Sequence, residues 1–225
     1  MKLVAIDNHT TQSIASNNLS EYLNRKEILK YYQLTHFVRQ DWLAGRIALK
    51  EALNRFFSLG QKHNRTEVQN NKSGIPFIKG LPRLYCSISH SYGFALAGVS
   101  EKPIGVDIEK IRFHNPSLLL YIAKPEEIVK FRSVNCKKKG LITKIWTIKE
   151  ATLKALGLGF KVNPKKINIF KKIGEKDYLV NCEIKTKVYD CVWKCRLLVM
   201  RNFCLSVSSL SNTHENIKFD WYKPA

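Results

Sequence analysis

Residues 146–160 read WTIKEATLKALGLGF. Apolar side chains recur along this stretch at helical spacing, and strong helix formers fill most other positions, which predicts a helix from about residue 145 to 156. Gly157 ends the helix because glycine accepts the left-handed backbone of a helix terminus. Glu150 and Lys154 lie four residues apart and therefore share one helix face. Taken alone, such a pair favours a surface ion pair worth about 0.3–0.5 kcal/mol.

A second stretch, residues 105–109, reads GVDIE and alternates apolar and acidic side chains with the period of a strand. Asp107 and Glu109 leave the same strand face, where two carboxylates repel each other unless a cation lies between them. A solvated strand face would need no such cation. A third carboxylate from Glu150 would complete an all-oxygen site, which suits Mg²⁺ and also admits Mn²⁺. Lys154, on the same helix face as Glu150, would then place a positive charge beside any phosphate that the ion binds.

Together the two stretches resemble the paired signature of the 4′-phosphopantetheinyl transferases, G-x-D-x-E followed by W-x-x-K-E-A-x-x-K-x-x-G-x-G. The chain matches this pattern at Gly105, Asp107, Glu109, Trp146, Lys149, Glu150, Ala151, Lys154, Gly157 and Gly159. The first motif alone is weak, whereas the second fixes many positions in order and is specific. The length of 225 residues and an SISHS segment at 87–91 are similar to the long, single-chain type that activates surfactin synthetase.

The resemblance implies an α+β fold of two pseudo-symmetric halves, each a small, mainly antiparallel sheet packed with helices, with the active site between them. Residues 1–102 would form the N-terminal half, which grips the nucleotide end of coenzyme A. Residues 103–225 would form the C-terminal half, with the metal site and the carrier-protein side. The implied reaction moves 4′-phosphopantetheine from coenzyme A to a serine of an apo acyl- or peptidyl-carrier protein and releases adenosine 3′,5′-bisphosphate. The family also implies a monomer.

The same resemblance assigns roles to the acidic and basic side chains of the two motifs. Asp107, Glu109 and Glu150 would hold Mg²⁺ against the pyrophosphate. Lys154 and Lys149 would screen the charge that builds on the leaving phosphate. Stabilisation of this kind is what phosphoryl transfer requires of a protein.

The family also has a glutamate facing the active site from the start of a helix. Pro125 followed by two acids predicts a helix start, since both features favour a helix N-terminus. Glu126 is the better positional match and Glu127 the adjacent alternative, although acids at a helix N-terminus need no catalytic role. The base for the serine proton stays open between Glu150, Glu126 and a water on the metal.

Contacts to coenzyme A are implied on a strand of the first half. In the family an S-H-S segment lies against the 3′-phosphate, and Ser89 and His90 match it here, although a lone histidine at a strand end is more often structural. The family commonly has G-K-P ahead of this segment, whereas residues 74–76 read GIP. The lysine is therefore missing at Ile75, and Lys72 is the candidate to replace it.

Residues 38–57 form the strongest amphipathic pattern of the first half and predict a long helix. Arg39 and Arg46 lie two helical turns apart, so both can face one ligand. Solvation alone would also explain two arginines at these positions. We expect them to contribute to the nucleotide grip.

The formal net charge is +20 at pH 7, with a sequence pI near 9.8. Such a surplus fits nucleic acid, an anionic membrane or an acidic protein partner. The resemblance favours the acidic carrier protein, with the loop lysines Lys137, Lys138 and Lys139 and also Arg132 as candidate contacts. A nucleic-acid-binding module, a transferase acting on a small molecule and an inactive scaffold are the alternatives. We expect no nucleic acid and no membrane as partner.

The six cysteines include no C-x-x-C pair, so a zinc ribbon is not expected. The first residues are too short an apolar run for a secretory signal, and no run approaches the ~18 apolar residues of a membrane span. We therefore expect a cytoplasmic protein with reduced thiols.

The remaining pattern predicts a first strand at 2–6 and a helix at about 21–32. Strands are expected at 94–100 and 103–109, and the short turn between them predicts an antiparallel pair. Short strands follow residue 160, and residues 212–225 are expected to form a tail.

Overall fold

The computed structural model describes residues 1–58, 60, 62–132, 140–159, 162–183, 191–200, 202–211 and 219–222. The chain divides into two compact units, Met1–Lys102 with Glu215–Ala225, and Pro103–His214. No helix in the described ranges is long and apolar enough to cross a membrane. The expected α+β class with two halves is confirmed, whereas an active site between them stays a prediction.

The helices are Asn8–Asn17 (α1), Leu19–Tyr22 (α2), Arg25–Gln33 (α3), His36–Phe57 (α4), Pro116–Ile122 (α5), Pro125–Arg132 (α6) and Leu141–Ala155 (α7). The strands are Lys2–Ile6 (β1), Val68–Asn70 (β2), Pro76–Ile78 (β3), Tyr85–Ser91 (β4), Phe94–Ser100 (β5), Ile104–Lys110 (β6), Ile167–Lys172 (β7), Asp177–Cys182 (β8), Trp193–Met200 (β9), Phe203–Leu210 (β10) and Phe219–Trp221 (β11).

The first unit is built on a sheet of order β11-β1-β5-β4, with β2 and β3 forming a separate hairpin. Helix α4 buries Leu43, Ile47 and Leu53 against this sheet, and small side chains such as Ala48 allow close contact. The expected helical stripe therefore forms the core of this unit, because burying it removes the largest apolar surface of the first half from water.

The second unit is built on an antiparallel sheet of order β6-β10-β9-β8-β7. Helix α7 packs on β6 and β10, and polar contacts fix its position: Ser206 Oγ donates to the Thr147 carbonyl oxygen at 2.5 Å, and Thr152 Oγ1 donates to Ser208 Oγ at 3.1 Å. Each unit thus runs in the same chain order, a strand followed by helices and then two hairpins.

Two predictions about strands are wrong. β5 pairs with β1 and β4, whereas β6 pairs with β10, because the chain passes from one unit to the other between Lys102 and Pro103. The expected tail contains β11, which pairs in parallel with β1 of the first unit. The sequence had suggested that the C-terminal segment belongs to the second half. In the structure it belongs to the first unit.

The helix expected at 21–32 is two helices, because Asn24 caps α3 with a box in which its side chain accepts from the Glu27 N–H. Several expected features lie outside the described residues: Lys137, Lys138, Lys139, the Arg132 side chain and residues 184–188 of the short strand expected at 182–188.

Candidate active site

Gly105 of β6 lies directly against the backbone of α7. An ideal Cβ at this position would stand 1.8 Å from the Ala151 carbonyl oxygen and 2.4 Å from the Ala155 nitrogen. No side chain larger than hydrogen fits there, so glycine is what allows strand and helix to touch. The two motifs of the sequence therefore meet at this contact.

Asp107 and Lys154 join the two motifs by an ion pair. The Lys154 ammonium donates to Asp107 Oδ1 at 2.8 Å, and Asp107 is buried while about a quarter of Lys154 is exposed. Asp107 follows Gly105 by two residues and so leaves the same strand face toward α7. The strand carboxylate and the helix lysine are thus paired with each other, while their expected roles toward a metal ion and a phosphate stay predictions.

Glu150 is buried on α7, 2% exposed, beside these groups. Burial raises its pKa to about 7, the Asp107 carboxylate and more weakly that of Glu109 add to the rise, and Lys154 opposes it. The three carboxylates thus lie within electrostatic range of one another. A cation that binds beside Glu150 would favour the ionised form of its carboxyl group.

The donor set fits a hard divalent cation in part. Carboxylate oxygens are what Mg²⁺ prefers, and Mg²⁺ takes only one or two carboxylates beside water and phosphate oxygens. Within the described ranges, however, no three His, Cys, Asp or Glu side chains are already grouped to hold a metal ion. The expected three-carboxylate cage is therefore not preformed, while the charge of Asp107, Glu109 and Glu150 suits an ion that phosphate also ligates.

Lys149 takes a different place from the one expected. Its side chain is fully buried, and its ammonium donates to Glu127 Oε2 at 2.7 Å and to the Pro164 carbonyl oxygen at 3.2 Å. Glu127 is equally buried and also accepts the Ile169 N–H at 2.8 Å. The prediction that Lys149 screens a phosphate is contradicted, because its charge is already matched inside the unit.

Glu126 is exposed on the first turn of α6, whereas Glu127 points inward. The two adjacent acids therefore have separate roles, and only Glu126 remains open to a ligand or a partner. Its catalytic role stays a prediction.

Comparison with known proteins places this arrangement in a family. The family model described as the 4′-phosphopantetheinyl transferase superfamily matches residues 103–208, nearly the whole second unit. A holo-[acyl-carrier-protein] synthase of Streptococcus equi subsp. equi (strain 4047) is 34% identical over 83 residues, 34% of this chain and 70% of that protein. The chain belongs to the 4′-phosphopantetheinyl transferase superfamily.

Transferases of the long type are also similar to this chain. The 4′-phosphopantetheinyl transferase gsp of Aneurinibacillus migulanus is 23% identical over 158 residues, 70% of this chain and 63% of the relative. The 4′-phosphopantetheinyl transferase Sfp of Bacillus subtilis (strain 168) is 28% identical over 125 residues, 53% of each chain. The chain spans about half the length of the curated long-type transferases it matches.

The residues expected to grip the coenzyme in a phosphopantetheinyl transferase all lie in the first unit. Ser89 is buried on β4, while His90 is half-exposed with Nδ1 3.4 Å from Asp41 Oδ2. Lys72 is exposed on the turn between β2 and β3, which the Asn71 side chain closes by accepting the Ser73 and Ile75 N–H groups. These contacts stay predictions.

Arg39 and Arg46 of α4 are both held by the protein itself. Arg39 Nη2 donates to the Leu34 carbonyl oxygen at 2.9 Å, and its guanidinium lies 5.1 Å from the Tyr31 ring centroid. Arg46 is 7% exposed, donates to Asn70 Oδ1 at 2.6 Å, and burial lowers its pKa. A transferase ligand would reach Arg39 more readily than Arg46.

Sequence reasoning missed the partnership of Glu127 and Lys149. A signal for it was present, since Glu127 stands three residues after Lys124, the spacing at which a glutamate reaches back to a helix-initiating N–H. That geometry turns the carboxylate toward the protein and leaves its neighbour outside.

Proposed function

We propose that this chain transfers the 4′-phosphopantetheine group from coenzyme A to a serine of an apo acyl- or peptidyl-carrier protein, with Mg²⁺, and releases adenosine 3′,5′-bisphosphate. The observation that carries the proposal is the close contact of β6 with α7 at Gly105, together with the ion pair of Asp107 and Lys154 beside the buried Glu150. The family relationship supports the same reaction class.

Asp107, Glu109 and Glu150 would hold the ion, with Mn²⁺ as a substitute. When bound, it would supply positive charge against the pyrophosphate oxygens and stabilise the charge that builds on the departing adenosine 3′,5′-bisphosphate. Lys154 adds a second positive charge beside Asp107, from a side chain that is partly open to solvent. Glu150 and Glu126 are the carboxylates of this chain that we propose as candidates to accept the serine proton.

Carrier-protein binding is supported by an apolar surface on the second unit. Phe113 before α5, Leu120 and Tyr121 on α5, and Val129 on α6 are exposed, between 60% and 87% of each side chain. The surrounding segment, residues 110–132, carries five basic and two acidic residues, one of which, Glu127, is buried and paired. Exposed apolar side chains in a segment with a basic surplus suit an amphipathic acidic helix.

The experiment that tests the proposal is mass spectrometry of an apo carrier protein incubated with the chain, coenzyme A and Mg²⁺. The expected product carries one phosphopantetheine group on serine. Asp107→Asn is the matched variant, since it keeps the side-chain shape but removes the charge, and it should leave the carrier unmodified. If the variant modifies the carrier at the wild-type rate, the proposed role of the Asp107 carboxylate is wrong.

A further inference from the structure

A buried hydrogen-bond network around Glu127 fastens α6, α7 and β7 of the second unit together. One carboxylate oxygen, Oε1, accepts the Ile169 N–H of β7. The other, Oε2, accepts the Lys124 N–H ahead of α6 and the Lys149 ammonium of α7. The three donors to this carboxylate therefore come from three different parts of the unit.

The first unit contains the same network on Glu27. Oε1 accepts the Val68 N–H of β2 at 3.2 Å, and Oε2 accepts the Asn24 N–H ahead of α3 at 3.1 Å. The Lys50 ammonium of α4 bonds to Oε2 as well, and Lys50 is fully buried like its counterpart. Helix start, strand amide and helix lysine thus recur atom for atom.

This correspondence aligns α4 with α7. With Lys50 set against Lys149, both helices read Lys-Glu-Ala, and a basic residue follows the glutamate by four positions in each. Glu51 therefore occupies the position of Glu150, and Arg55 that of Lys154. Glu27 and Lys50 are 23 residues apart, and Glu127 and Lys149 are 22 residues apart. The match between the two helices therefore rests on this spacing as well as on the shared Lys-Glu-Ala.

The strand beside α4 lacks the acids that the strand beside α7 provides. Val4 and Ile6 of β1 are fully buried in the apolar core that α4 also lines, whereas β6 presents Asp107 and Glu109. Glu51 instead contacts side chains of its own unit: His63 Nε2 lies 2.9 Å from its Oε2, and Arg55 Nε donates to its Oε1 at 2.7 Å. The negative charge at this position is balanced within the chain.

The same side chains reach the C-terminal strand. Arg55 Nη1 lies 3.3 Å from Asp220 Oδ2 of β11, and the His63 ring lies 5.9 Å from the ring of Tyr222, edge to face. The Tyr222 N–H donates to the Ala5 carbonyl oxygen at 2.8 Å beside this cluster. The Glu51 cluster is therefore continuous with the contacts that hold β11.

We propose that α4 carries a silenced copy of the α7 site, in which Glu51 serves no divalent cation and instead anchors, through His63 and Arg55, strand β11 to the first unit. That Glu51 occupies a copy of a metal site depends on the proposed metal role of Glu150. The anchoring role rests on the contacts of Glu51 alone, so the two parts are tested by separate measurements.

Hydrogen–deuterium exchange of the full chain tests the anchor. Glu51→Gln keeps the shape of the side chain but removes its charge, and amides of residues 219–222 should exchange at least about ten-fold faster. Asp220→Asn is the milder variant, which removes only the Arg55 contact on an exposed residue, and should accelerate the same amides a few-fold. Unchanged exchange at 219–222 in both variants would overturn the anchoring role.

Calorimetric titration with Mn²⁺ in the presence of coenzyme A tests the silenced site. The wild type and Glu51→Gln should each bind one equivalent, and Glu150→Gln should bind none while its exchange at 219–222 stays normal. Loss of Mn²⁺ binding in Glu51→Gln, or two equivalents in the wild type, would overturn the silencing. If the wild type binds no Mn²⁺, the proposed metal role of Glu150 fails together with the copy, while the exchange experiment still decides the anchor.

Discussion

Gly105 and Ala151 touch backbone to backbone: a Cβ on the glycine would stand 1.8 Å from the alanine carbonyl oxygen. This contact sets the distance between the strand that carries Asp107 and the helix that carries Glu150. The glycine of the G-x-D-x-E motif is therefore a packing requirement, and the acids two and four residues later depend on it for their position.

Replacing Gly105 with alanine should push β6 from α7 and lower the free energy of unfolding by about 3 kcal/mol, the upper end for overpacking. The reason is that the clash is with backbone, which cannot rotate away. Urea unfolding followed by fluorescence measures the loss. Gly174→Ala is the control, because its Cβ would meet only Asp177 at 3.8 Å, and it should change stability by less than about 0.5 kcal/mol.

The buried pair of Lys149 and Glu127 predicts a non-additive double-mutant cycle. Lys149→Met should cost about 3–5 kcal/mol because it leaves the Glu127 charge buried without its partner. Adding Glu127→Gln to that variant should recover part of the loss. Denaturant unfolding of the wild type, the two single variants Lys149→Met and Glu127→Gln, and the double variant measures the cycle. Glu126→Gln, on the exposed neighbour, should be nearly neutral, and a large effect there with none at Lys149 would reverse our assignment of the two acids.

The sequence was sufficient for the elements whose signal is local. The period of α7 and the alternation of β6 follow from residue spacing, so the structure agrees within a few residues. The link from β5 to β6 has the same local appearance as a hairpin turn, yet the chain crosses between units there. A short turn fixes where a strand ends, and it does not fix which strand becomes its partner.

The features that sequence reasoning missed depend on long-range pairing or on a single step around a helix. Strand β11 pairs with β1 from the opposite end of the chain, and its composition does not reveal that partner. Glu126 and Glu127 differ by about 100° around α6, which separates solvent from core. The periodicity of α6 is too short to decide this, whereas the hydrogen bond to Lys124 decides it.

Net charge predicts that transfer to a carrier protein slows as salt rises. The chain carries +20 at pH 7, so an acidic partner is attracted over several ångströms in dilute salt and much less when the charges are screened. We expect kcat/KM for the carrier to fall several-fold between ~50 and ~300 mM salt, with kcat little changed. A carrier whose surface acids are replaced by glutamine is the control. Equal salt dependence for both carriers would contradict steering.

Phe113 predicts a separation between the two substrates. It is 87% exposed beside α5, so Phe113→Ser should leave the fold intact and weaken only contacts made by a partner. KM for the carrier should rise by about five- to thirty-fold, the effect of losing about 1–2 kcal/mol of apolar contact. KM for coenzyme A should stay the same. Val199→Ser, an exposed apolar residue on β9, is the matched control, and an equal effect there would exclude a specific surface.

The raised pKa of Glu150 predicts the pH dependence of stability. In the unfolded chain this group ionises near 4.5, whereas in the folded chain burial and the Asp107 carboxylate hold its proton to about 7. Between these values the folded state binds more protons, so its stability is greatest below about 4.5 and falls as pH rises through 7, by up to about 3 kcal/mol. Denaturant unfolding from pH 5 to 8 measures this fall. Glu150→Gln cannot ionise and should lack it, and adding Mn²⁺ with coenzyme A should offset it in the wild type, because a cation favours the charged carboxylate. The same pH profile in wild type and variant would show that Glu150 is already ionised at pH 5 and that its neighbours do not crowd it.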